Sequence, residues 1–229
     1  MALTLGTLRQ DCRDLIGDTS VVSPIFTDQQ IDSWINAAIR DLNNHFPRTI
    51  INTLSTTAGT HTYDLELTFI DMIKVEYPTG DDPPSYLKYR SSKLTTFWNI
   101  VGYYDILRPM DADSLNPPQI IISESPPVGE IITYTTHVEH NPLLDPGDET
   151  TIPDRLTHLI CLIVRYKAWQ ELSTSEGLDP EPIKLLAATQ EVNSYRAERA
   201  YYKALDNAKK AQTASEVVEW KMPGTDRIY

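Results

Sequence analysis

The chain is poor in glycine, in cysteine and in positive charge. Nine glycines among 229 residues leave few places where backbone amides could close around a phosphate, and the sequence has no glycine-rich phosphate loop, CxxC, HExxH or GxSxG. The two cysteines, Cys12 and Cys161, fall at apolar helical positions and read as buried thiols rather than a disulfide framework. Lys and Arg number 20 against 32 Asp and Glu, a net charge of −12, and a surface of that sign repels nucleic acid and anionic membranes. No apolar run approaches the roughly twenty residues of a membrane span. The opening MALTLGTLRQ lacks the basic and apolar regions of a secretory leader, so the expected compartment is the cytoplasm. What the chain does have is 41% apolar residues, ample for a core in one large domain or a domain with an insertion.

The strongest pattern is DRLTHLICLIVRYKAWQELS, Asp154 to about Ser173. Leu159 to Val164 are consecutive apolar residues and, at about 100° per residue, cover every side of a helix. This predicts a central buried helix, with Asp154 capping its start, Gly177 and Pro180 marking its end, and Tyr166 and Trp169 extending its seam. Residues 4 to 17 predict a short helix capped by Thr7 with Gln10, striped by Leu8, Cys12, Leu15 and Ile16 and ended by Gly17. The next segment predicts a second helix. Thr27 and Gln30 form its capping box, Phe26 staples onto Ile31, and Trp34, Ile35, Ala38, Ile39, Leu42 and Phe46 complete the core face. Asp32, Asn36, Arg40 and Asn43 form its wet face, and Pro47 stops the run. After the central helix, Asp179 and Pro180 open a long helix through Gln212, about 50 Å at ~1.5 Å per residue. Its apolar stripe is narrow: Leu185, Ala188, Val192, Tyr195, Tyr202 and Leu205.

Between these helices the period changes from 3.6 to 2. Segments 61–67, 73–77, 119–123 and 130–138 predict strands, and 91–98 a helical turn. Proline-rich turns at 78–85, 116–118, 125–129 and 141–148 favour an antiparallel meander over a parallel sheet.

Candidate chemistry is sparse. His137 and His140 lie near Glu139 and Asp145, but residues three apart on a strand face opposite sides, so two surface histidines are favoured over a metal site. Cys161 with His158 could pair as nucleophile and base, yet the apolar run around Cys161 raises a thiol pKa and favours packing. Asp81 with Asp82 and Asp111 with Asp113 sit in turns, where solvated charge is the ordinary explanation. A carboxylate-based hydrolase is the different-class alternative.

LGTLRQDCRDLIGDTS, FTDQQIDSWINAAIRDLNNHFPR, TTAGTHTYDL, PPQIIISESPPVGEIITYTTHVEHNPLL and IPDRLTHLICLIVRYKAWQEL, in this order, together resemble the head-to-tail adaptor proteins of tailed bacteriophages, those of short-tailed phages most of all. The resemblance covers nearly the whole chain. It implies a helical bundle with a β-rich insertion, assembled as a homo-oligomeric ring, expected to be a dodecamer, beneath the portal vertex. It also implies docking on the portal protein through the helical and C-terminal parts and reception of a tail nozzle or tail tube protein at the other end. Genomic DNA would pass through the lumen without specific binding, and the acidic balance suits a channel in which DNA slides without sticking.

The expected fold class is thus α+β. Residues 1–48 and 153–212 form a helical bundle, 49–152 a β-rich antiparallel insertion, and 213–229 an extended C-terminal docking tail. The expected function is structural: a virion protein at the head–tail junction, assembled in the host cytoplasm, with no catalytic residues, metal, cofactor or membrane partner. A tail-completion or stopper protein is the alternative within virions, with the 78–85 or 108–118 segments as channel-closing loops. Arg196, Arg199, Lys203, Lys209, Lys210, Trp220, Met222, Ile228 and Tyr229 are the expected portal or intersubunit contacts.

Overall fold

Thr4 opens the first helix. Its amide donates to Thr7 Oγ1 at 2.9 Å while its own hydroxyl accepts from the Thr7 amide at 3.3 Å, a reciprocal box that caps α1 (Leu5–Ile16). The cap expected at Thr7 therefore lies three residues too late: Thr7 is the far half of the box, and Gln10 donates to Asp14 instead. Gly17, at φ 85°, closes the helix in the left-handed conformation. The computed structural model describes residues 3–20, 22, 24–108, 116–174 and 182–219.

Helix α2 (Asp28–Asn43) carries the expected Thr27–Gln30 box and buries Ile31, Ile35, Ala38, Ile39 and Leu42. Its supposed wet face is only partly wet. Asn36 accepts from the Leu143 amide and donates to the Leu143 carbonyl, both at 2.8 Å. Asn43 is buried and accepts from the His140 amide at 2.8 Å. Trp34 departs in the other direction: it is half-buried, edge-on to Phe26 with ring centroids 5.0 Å apart. Arginines tie α1 to α2, with Arg9 gripping Asp32 through two nitrogens and Arg13 bridging Asp18 and Asp28.

Helix α3 (Asp154–Thr174) touches α1, α2 and a fourth helix, α4 (Pro182–Glu219). Leu156, Leu159, Ile160, Ile163, Val164 and Ala168 are buried, whereas Cys161 and Leu162 are half-buried, so one side of the apolar run faces a groove. Asp154 is the first helical residue and not the cap. The expected end and start signals Gly177, Asp179 and Pro180 lie outside the described residues. At 38 residues α4 is about 57 Å long, and residues 213–219, expected to be extended, continue the helix. Its buried stripe is Ser194, Ala197, Tyr201 and Leu205; Val192, Tyr195 and Tyr202, expected in that stripe, are 47%, 63% and 58% exposed.

The chain divides into two units, residues 1–45 with 140–229, and Phe46–Glu139. Residues 140–152, grouped by pattern with the insertion, belong with the helices. Asn36 and Asn43 hold 140–143, Leu143 is 2% exposed, and the backbone of 146–150 bonds to Leu3, Leu5 and Gly6. A Cβ on Gly6 would stand 3.2 Å from the Pro146 carbonyl oxygen, so this close approach suits glycine.

The second unit contains β1 (Arg48–Ser55), β2 (Thr62–Asp64), β3 (Phe69–Glu76), β4 (Lys88–Tyr89), β5 (Tyr103–Leu107), β6 (Gln119–Ile122) and β7 (Ile131–Val138). They form two sheets, ordered β1-β7-β3 and β2-β6-β5-β4. The expected meander is replaced by crossovers: β7 is central, antiparallel to both β1 and β3. The short β4–β5 pair is parallel. Strands β1, β4 and β5 were not evident from alternation. One core joins the sheets, with Phe69, Met72 and Val75 from β3, Ile120 and Ile122 from β6, and Ile132 and Tyr134 from β7. The expected turn at 91–98 contains a single 3₁₀ turn, Thr95–Phe97, whose Phe97 is fully buried. The whole is mixed α+β.

Candidate functional site

Among the described residues, those that sequence reasoning weighed for catalysis do not converge. Cys161 meets Cys12, with the two sulfurs 3.5 Å apart, while His158 is exposed on the preceding turn of α3. The Cys12 thiol donates to the Cys161 sulfur and holds the Cys161 pKa below the ordinary value, against burial; that same hydrogen bond, with burial, pushes Cys12 up. The expected upward shift at Cys161 is thus reversed.

His140 is 4% exposed, not a surface residue, and its Nδ1 lies 2.9 Å from Thr151 Oγ1. His137 is half-buried on β7. No group of three or more His, Cys, Asp or Glu among the described residues is placed to hold a metal. Asp81 and Asp82 are exposed; Asp111 and Asp113 lie outside the described residues.

Buried polar groups elsewhere serve the fold. Burial pushes the Asp105 carboxyl up, but amide donors from Ser92 at 2.7 Å and Ile106 at 2.8 Å outweigh it and leave the pKa below the ordinary range. Burial, with the Glu66 carboxylate beside it, pushes the Tyr134 hydroxyl up to about 12. Tyr201 donates to Asp41, and burial followed by that bond raises its pKa.

The outer face of α4 is the feature these packing roles leave over. At about 100° per residue, Val192, Tyr195, Arg196, Arg199, Tyr202 and Lys203 share one side, opposite the buried stripe of Ser194, Ala197, Tyr201 and Leu205. All six are exposed. Arg196, Arg199 and Lys203 have no ion-pair partner among the described residues. Lys210 pairs with Asp206 of its own helix at 2.6 Å, and Lys209 is half-buried. Trp220, Met222, Ile228 and Tyr229 lie outside the described residues.

Two aromatic residues and a valine facing solvent, beside cations that pair with none of the described residues, form an amphipathic surface of the kind that proteins present to partners. Sequence reasoning found the basic residues but put the aromatics on one narrow apolar stripe with Leu205, which the structure splits between two sides of the helix. The usable signal was a second line of positions, a half-turn from the one that Ala197, Tyr201 and Leu205 define. The second unit has its own exposed apolar stretch, unseen in the sequence: Leu94, Trp98, Ile100 and Val101 are 44–69% exposed.

A long helix with an amphipathic outer face and a separate β-rich unit are what the described residues present to a partner. The family model of the SU10 adaptor protein matches residues 3–225, and the chain belongs to that family. It is therefore a bacteriophage adaptor protein, a structural component of the virion that associates with other head and tail components. No curated protein matches the chain. Among the described residues, no helix is long and apolar enough to cross a membrane.

Proposed function

We propose that this adaptor forms a homo-oligomeric ring, a dodecamer by the resemblance above, that joins the portal vertex to the tail and surrounds the DNA channel. The outer face of α4 supports this reading best. Tyr195 and Tyr202 would give up their exposed area to a neighbouring subunit or the portal protein, at roughly 25 cal/mol per Å² of apolar surface covered. Arg196, Arg199, Lys203 and Lys209 would meet acidic groups of that neighbour, fixing register. Lys210 contributes less, because Asp206 already neutralises it. Trp220, Met222, Ile228 and Tyr229 are proposed to extend the same contact beyond Glu219.

At the other end a tail nozzle or tail tube protein would be received, and genomic DNA would pass without specific binding because each subunit adds a charge of −12. No catalytic role is proposed. Co-sedimentation with the purified portal protein tests the reading: the wild-type chain is expected to pellet with portal and a Tyr195→Glu, Tyr202→Glu variant to stay in the supernatant. Equal pelleting of both would remove α4 from the contact.

A further inference from the structure

Cys12 and Cys161 are the two cysteines of the chain, and the fold brings them together from positions 149 residues apart. Cys12 lies on α1 and is fully buried; Cys161 lies on α3 and is half-buried. Their sulfurs are 3.5 Å apart, about 1.5 Å beyond the ~2.0 Å of a disulfide bond. Cys161 also lines an open groove of about 380 Å³ between α1 and α3, with Leu8, Asp11, Leu15, Thr157, His158 and Leu162 as the other walls. A small oxidant can therefore reach one sulfur while the other waits behind it, the arrangement of an attacking and a resolving thiol.

We propose that Cys12 and Cys161 are a redox-responsive dithiol, which a peroxide converts into a disulfide that staples α1 to α3. The Cys161 thiolate attacks one peroxide oxygen, the O–O bond breaks, and the departing hydroxide takes up the thiol's proton as water. This leaves a sulfenic acid on Cys161. The Cys12 sulfur then attacks the Cys161 sulfur, the S–O bond breaks, and hydroxide leaves with the Cys12 proton as a second water. Two thiols and one hydrogen peroxide thus give one disulfide and two waters, with two electrons passing from sulfur to oxygen. The hydrogen bond from Cys12 favours the thiolate at Cys161. A reducing compartment keeps the pair open, and exposure to peroxide outside it closes the pair. This inference does not depend on ring formation.

The test uses the full-length protein with hydrogen peroxide, followed by alkylation under denaturing conditions and peptide mapping. Expected is a peptide containing Cys12 joined to one containing Cys161, lighter by two hydrogens and released by dithiothreitol. The melting transition of the helical unit should rise by roughly 5–15 °C on oxidation, given the length of loop closed. A Cys12→Ala variant should trap a dimedone-reactive sulfenic acid at Cys161 that the wild type does not accumulate. Should that variant fail to fold, the wild-type peptide map and melting shift decide alone. Two thiols still alkylated after peroxide, separate sulfinic acids, or a cross-link between chains would each overturn the proposal.

Discussion

Asn36 shows what a single side chain does for this fold. It satisfies both backbone groups of Leu143, 107 residues away, at the point where the chain returns from the β-rich unit. Asn36→Ala should cost about 1–3 kcal/mol, since it leaves a covered amide and carbonyl unpaired, and thermal unfolding followed by circular dichroism checks it. His140→Ala should cost a similar ~1–3 kcal/mol, because that ring is buried beside Thr151 and not free at the surface. Trp34→Ala, by contrast, should cost less than the ~3–5 kcal/mol of a fully buried tryptophan, as its ring is half-exposed. Asp105 makes the second unit acid-sensitive. Its folded pKa lies below the unfolded value of about 3.9, so its stabilisation is complete above that pH and is lost as pH falls through the folded value. The melting temperature of that unit should drop below about pH 4, and Asp105→Asn should flatten the dependence; an unchanged profile would contradict the assignment. None of these roles was legible in the sequence. Asn36 and Asn43 carry the same helical-period signal whether they face water or grip a distant backbone, and spacing says nothing about a partner 97 or 107 residues away.

The helices were legible because each announces itself locally. Thr27 and Gln30 mark one start, Gly17 one end, and Leu159 to Val164 a helix covered on nearly all sides. Helix α4 was legible as one long helix, though seven residues short at its C-terminal end, but not in orientation. Its sequence offers two apolar lines, and only packing against α3 chooses the one through Ala197, Tyr201 and Leu205. The strands were harder. β1 (RTIINTLS) alternates Ile50, Asn52 and Leu54 against Thr49, Ile51 and Thr53, so its exposed line contains an isoleucine and the period-2 signal blurs. The crossover that puts β7 between β1 and β3 is a long-range pairing that no local pattern encodes. Deleting residues 213–229 should leave the melting temperature of the chain nearly unchanged while weakening portal attachment. Collapse of the remaining helices on deletion would assign that segment to the chain's own core instead.

For the molecule as a whole, charge and surface point the same way. A net charge of −12 per chain, repeated around the proposed ring, would keep DNA from adhering to its lumen, while the cations of α4 would stay available for the proposed subunit contacts. Raising salt from about 0.05 to 0.5 M should slow assembly or portal docking severalfold if these charges steer it, as measured by light scattering; salt-independent assembly would contradict that role. Imaging of the purified chain mixed with its portal protein by electron microscopy reaches furthest. Expected is a closed ring of this chain coaxial with the portal, with α4 of each subunit at a subunit or portal interface and acidic residues toward the central channel. Single copies scattered on the portal without ring closure, or a lumen lined mainly by Lys and Arg, would contradict it.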